Sequence, residues 1–113
     1  DLDRSIALSA NTTEKFKEQL QVPLAKKTDA TYLTNDCVYT GKPGVYGRNI
    51  ALTRLVQGCF VYGETLYQDN ATECMLLMKT DWKDPVSGII TSERLGKVAE
   101  AYYQGILKTV GTK

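Results

Sequence analysis

The segment from Arg48 to Tyr67 constrains this chain more than any other, because its apolar residues fall at helical spacing and one of them is a cysteine. Leu52, Leu55, Val56, Cys59, Phe60, Gly63, Leu66 and Tyr67 follow the rhythm of one helix face, while Arg54, Gln57 and Glu64 fall elsewhere. Gly63 on that face costs helix propensity, which makes sense where another backbone packs closely. Gln68-Asp69-Asn70-Ala71 reads as a turn. A chain doubling back there brings Cys74 level with Cys59, the geometry a disulfide requires. Such a bridge stabilises by about 3 kcal/mol in the chain-entropy picture. The alternative is a pair of buried thiols at apolar positions. Three cysteines permit one bridge and leave one thiol over, so Cys37 paired to either of the others stays open.

The rest of the chain reads as mainly α. A short helix is expected up to about Ser9, with Leu2, Ile6 and Leu8 as its apolar residues. Asn11-Thr12-Thr13-Glu14 then resembles a new helix start, with Asn11 as cap and Glu14 three residues on. Phe16 and Leu20 follow at i, i+4, and Pro23 closes the exit. Thr28 or Asp29 can cap a short helix carrying Leu33, Cys37 and Val38. Three glycines and a proline between Thr40 and Gly47 mark the clearest loop. Glu73 to Lys79 is a short apolar segment, strand or helix, and Thr80 to Gly88 is a second loop holding Trp82 and Pro85. Thr91 or Ser92 caps a last helix whose expected buried face is Leu95, Val98, Ala99, Tyr102, Ile106 and Val110, with Gly111 as its stop. Residues 1–113 are therefore expected to form a single-domain helical bundle of four or so helices, stapled by one disulfide. The segments Cys74 to Met78 and Val86 to Ile90 leave room for a short strand pair.

Composition narrows the chemistry. The chain has 113 residues, a net charge of +1 and no run of one sign, so nothing in it suggests nucleic-acid binding. No stretch approaches the roughly 20 apolar residues of a membrane span. A chain opening at Asp1 rather than Met reads as mature, with a leader removed, or as cut at a chosen boundary. The absence of histidine excludes Ser-His-Asp and Cys-His arrangements, and without a Cys-x-x-Cys no zinc site or other metal centre is expected. No cofactor loop is present, since Gly41, Gly44 and Gly47 match neither phosphate-binding fingerprint. Carboxylate catalysis by Asp81 and Asp84 beside Trp82 is set against the simpler reading of solvated charge. Asn11-Thr12-Thr13 and Asn70-Ala71-Thr72 both match the glycosylation sequon, Asn70 being the better acceptor.

A binding role remains. Lys42, Tyr46 and Arg48 on a glycine-rich loop are what a protruding recognition element uses, and Trp82 can serve as an exposed anchor. The bland alternatives are that Tyr46 folds back on the core and Trp82 lids it.

The stretch from Thr31 to Tyr103 resembles the small periplasmic immunity proteins that protect bacteria from type VI secretion amidase effectors. The matching pieces are Leu33 to Cys37, Gly58-Cys59-Phe60-Val61-Tyr62-Gly63, Cys74, and Gly88-Ile89-Ile90-Thr91 leading to Ala101-Tyr102-Tyr103. The segment Met75-Leu76-Leu77 departs from the pattern, and the Thr40 to Gly47 loop has no counterpart. The resemblance implies a periplasmic or secreted inhibitor that covers the active site of a peptidoglycan amidase. It also implies a homodimer, for which Tyr62, Tyr67 and Tyr103 are interface candidates. The competing expectation is a non-catalytic structural or accessory subunit of a larger protein assembly.

Overall fold

The computed structural model describes residues 2–66 and 69–111. Two long helices organise it. Helix α1 (Leu2–Leu20) and helix α5 (Glu93–Val110) pack along each other, and the pairs Asn11 with Thr109, Glu14 with Lys108 and Leu20 with Arg94 make them antiparallel. Phe16, Leu20 and Ala101 are the centre of the core, with Val22, Leu66, Val98 and Tyr102 packed against them. The Phe16 and Tyr102 rings meet edge to face at 4.9 Å, a favoured aromatic geometry. Gly105 allows the closest helix approach, since a Cβ there would stand 2.7 Å from the Thr12 backbone.

Helix α1 corrects the two-helix reading. It runs unbroken through Asn11, whose Nδ2 donates to Thr109 Oγ1 at 3.0 Å instead of capping. Thr12 is buried against Gly105, and the Thr13 hydroxyl turns back to the carbonyls of Ser9 and Ala10. The Asn11 amide and the Thr13 hydroxyl find partners compatible with a continuous helix and Thr12 packs on α5, so the local start signal loses to tertiary contact. The helix ends at Gln21, which takes a left-handed conformation with φ of 56°.

A 3-10 turn (Lys27–Asp29) and helix α2 (Thr31–Asn35) lead into a hairpin of β1 (Cys37–Tyr39) and β2 (Tyr46–Arg48). The expected loop is thus the hairpin's turn, and its last residues are strand. Cys37 and Val38, expected on a helix, are in β1. The turn needs positive φ at Gly41 and Gly44, and Leu24 packs beneath Gly44.

The long helix expected over Arg48 to Tyr67 does not form. Helix α3 covers only Ala51–Leu55, and residues 56–66 run on as an irregular strap. Val56 is already extended and Gly58 has φ of 98°, a conformation that terminates a helix. The β-branched and aromatic residues that follow have little helix propensity to oppose this. The strap lies along the α1–α5 pair. The Phe60 amide donates to Ser5 Oγ, the Thr65 and Tyr102 hydroxyls are 3.1 Å apart, and Leu66 reaches the core. Gly63 is needed for close approach, as expected, but the neighbour is the Tyr102 side chain rather than a backbone. Tyr67 and Gln68, the expected helix end and start of the turn, lie outside the described residues.

The disulfide goes with that helix. Cys59 is exposed on the strap, Cys74 is half-buried on helix α4 (Ala71–Leu77), and all three cysteines are free thiols. Without a helical hairpin the two sulfurs have no shared height at which to meet. Cys74 to Met78 is likewise helix and helix end rather than strand. A second hairpin joins β3 (Trp82–Lys83) to β4 (Ile90–Thr91). The chain is mainly α, with five α-helices and two two-stranded hairpins among the described residues.

Candidate functional site

Helix α5 is entered through a built corner. Ser92, fully buried, accepts from the Leu95 amide, and Asp81 accepts from the Glu93 amide at 2.9 Å. Two side chains thereby satisfy the first turn of the helix. Trp82 lies on Gly96, whose Cβ, if present, would be 3.0 Å from the indole. Arg94 ties three elements together. Its Nη1 donates to the Leu20 carbonyl at the end of α1, and its Nε and Nη2 grip both oxygens of Glu73 on α4. Both side chains are mostly buried, so the fork-to-carboxylate pairing is charge-assisted and poorly screened.

The four residues expected to bind a partner are held in different ways. Tyr46 is half-buried and its hydroxyl donates to the Ala25 carbonyl at 2.9 Å. Burial, and then the neighbouring Tyr39, push that hydroxyl above its ordinary range, which keeps the donor proton in place. Arg48 stands over the Tyr32 ring at 5.6 Å, and Lys27 over Tyr39 at 5.3 Å. Tyr46 and Arg48 share one hairpin face with Tyr39 and Cys37, leaving Val38 72% exposed on the other. Lys42 is exposed at the hairpin turn. Trp82 is half-buried on the other hairpin and covers α5. Tyr46 and Trp82 are thus braces, and the hairpin places Lys42 and Arg48 at the surface.

Asp81 and Asp84 are each engaged in local hydrogen bonds. Asp81 caps α5. Asp84 accepts from both the amide and the hydroxyl of Ser87, and these bonds hold its carboxyl below the usual range. The two best-formed depressions are shallow and open, about 470 Å³ and about 330 Å³, and neither is lined by Asp or Glu. Among the described residues no three His, Cys, Asp or Glu side chains converge as a metal site. No helix among the described residues is long and apolar enough to cross a membrane.

Large apolar side chains are exposed outside those four residues. Five of the described apolar residues are buried, against sixteen large ones that are exposed. The accessible surface of 8259 Å² compares with about 6,200 Å² for a folded monomer of this mass. The radius of gyration of 15.2 Å likewise exceeds the roughly 13 Å of a compact chain of this length. Most telling is α5. Its face toward α1 uses Val98, Ala101, Tyr102 and Gly105, whereas Leu95, Ala99, Ile106 and Val110, expected to be buried, are exposed together with Tyr103. These five follow steps of four, four, three and four, one stripe about 22 Å long. Its signal was present in the sequence, because an apolar arc that wide exceeds what one partner helix can cover.

Comparison with protein-family models, with curated proteins and with solved structures finds no match for this chain.

Proposed function

We propose that the chain is a non-catalytic protein-binding subunit whose docking face is the uncovered stripe of α5. The observation that carries this is Leu95, Ala99, Tyr103, Ile106 and Val110 lying bare on a helix whose neighbouring face, Val98, Ala101, Tyr102 and Gly105, is packed against α1. Exposed stripes of this kind are costly in water and mark interaction surfaces. The excess of accessible surface has the scale of one side of a standard interface or more, about 800 Å². The stripe is also self-complementary. In an antiparallel pairing Leu95 faces Val110 and the small Ala99 faces Ile106, so a second copy is a suitable occupant.

The test is site-specific photo-crosslinking in cells that make the protein, with the probe at Ile106 and, as control, at Lys97 on the opposite side of α5. A defined adduct from Ile106 alone supports the reading, and its mass separates a homodimer from a different subunit. No adduct from Ile106, or the same adducts from both positions, overturns it.

A second reading is a periplasmic or secreted inhibitor, including an immunity protein against a peptidoglycan amidase. What favours it is the first hairpin, pinned through Tyr46 and Ala25 and presenting Lys42 and Arg48 on a rigid support. The free thiols withdraw its main ground. It predicts amidase inhibition that Lys42→Glu abolishes and Ile106→Asp leaves intact. The subunit reading predicts no inhibition.

A further inference from the structure

The end of α4 gathers sulfur. The chain has two methionines, and both stand within four residues of Cys74, at Met75 and Met78. Cys74 and Met78 are four apart and Met75 and Met78 are three apart, so Met78 sits between the other two on one helical arc. The first of these contacts is made, with the Cys74 thiol donating to Met78 Sδ at 3.8 Å. Met75 is 69% exposed and Met78 77% exposed, so neither thioether contributes to the core. The helix that carries them is anchored at its first turn. Asn70 caps the helix by accepting from the Glu73 amide, and Arg94 fixes Glu73 from α5.

We propose that Cys74, Met75 and Met78 form a binding site for Cu(I). Thiolate and thioether are soft donors, the set that selects Cu(I) over harder ions. Taking the about 2.3 Å of a metal–thiolate bond as the scale, sulfurs at the separation of Cys74 and Met78 subtend about 110° at a shared metal. That angle suits a three-sulfur site open on its solvent side. The charges match as well, because one thiolate and two neutral thioethers neutralise one monovalent cation. Binding replaces the S–H bond of Cys74 by an S–Cu bond, the thiol proton passes to solvent, and no electron is transferred. Glu73 is occupied by Arg94, so no carboxylate is offered that would draw the site toward magnesium or calcium. This inference is independent of the docking face on α5.

The experiment is anaerobic titration of the whole chain with Cu(I) against a Cu(I)-specific chelator, followed by X-ray absorption to identify the donor atoms. Circular dichroism checks that each variant is folded. The expected result is one Cu(I) per chain in a sulfur-only shell, lost in Cys74→Ser and retained in Cys37→Ser and Cys59→Ser. Met78→Leu and Met75→Leu, both at exposed positions, should each weaken binding about tenfold or more, since losing even an outer-shell partner costs a metal site that much. Leucine variants that bind as tightly as the parent protein would reduce the site to an ordinary thiol and overturn the proposal. Loss of binding that follows Cys59 or Cys37 would overturn it too, as would failure to hold Cu(I) against the chelator.

Discussion

Helix α5 and the strap after Leu55 have similar apolar content and similar helical spacing, yet one is an 18-residue helix and the other mostly irregular. Three differences account for this. Helix α5 has two side chains on its first turn, Ser92 and Asp81, whereas Ile50, before α3, offers no polar side-chain cap. Its own glycines, Gly96 and Gly105, keep helical backbone against Trp82 and Thr12, while the strap meets Gly58 at a φ of 98° within three residues of α3 and then a run of aromatic and β-branched side chains. And α5 has a partner along its length, α1, against which a face can be buried. The strap instead touches that pair at Phe60, Thr65 and Leu66. Periodicity is therefore permissive, and capping together with a partner decides.

The comparison breaks most visibly if the partner is removed. Phe16→Ala should destabilise the fold by about 3–4 kcal/mol, because it empties the core beside Ala101 and Tyr102. A change below about 1 kcal/mol in urea unfolding would mean that α5 is helical without α1.

Gly63 offers a sharper test because the two descriptions of the segment differ in sign. With the strap in place, Gly63→Ala drives a Cβ into the Tyr102 side chain and should destabilise by about 1–2 kcal/mol. In a helix the same change would stabilise by about 1 kcal/mol. Tyr102→Phe removes the nearest atom, so a double-mutant cycle should return a coupling of about 1 kcal/mol.

Ser92→Ala should cost about 1 kcal/mol and fray the first turn of α5, visible as faster amide exchange at Leu95. Equal protection in both proteins would assign the capping to Asp81 alone.

The smallest effect lies in the second hairpin. The Asp84 carboxyl is held below its ordinary range by Ser87, so the turn's contribution is present above the unfolded carboxyl value and lost as pH falls through the folded one. Titration by NMR should place Asp84 below an exposed aspartate, and Ser87→Ala should move it back up.

Much of the fold was legible. The class, the start of α5 at one of the two caps offered, Ser92 rather than Thr91, its stop at Gly111 and the turn residues Asp69 and Asn70 before α4 all rest on local chemistry. What failed was non-local. Asn11 and Thr12 look like a helix start until Thr109 and Gly105 are placed beside them. The disulfide depended on a hairpin that Gly58 prevents. Of the residues offered for partner binding, Tyr46 and Trp82 take the alternative reading of packing inward, because a large aromatic ring is as useful to a support as to a contact. The α5 stripe was identified as a face and assigned to the wrong side of the protein boundary, because periodicity does not say what covers a face.

The pairing of α1 with α5 also sets an order of events during synthesis. Asn11 and Thr109 are 98 residues apart in sequence, and Glu14 and Lys108 are 94 apart. Contacts this distant carry a loop-closure penalty that nothing local offsets, so the core has high contact order. At about 5–20 residues per second, α1 waits about 5–20 seconds on the ribosome before its partner exists. Through that interval Phe16 and Leu20 are a naked amphipathic ridge on a nascent chain. The same ridge that centres the finished core is, until α5 arrives, exposed apolar surface of the kind chaperones bind.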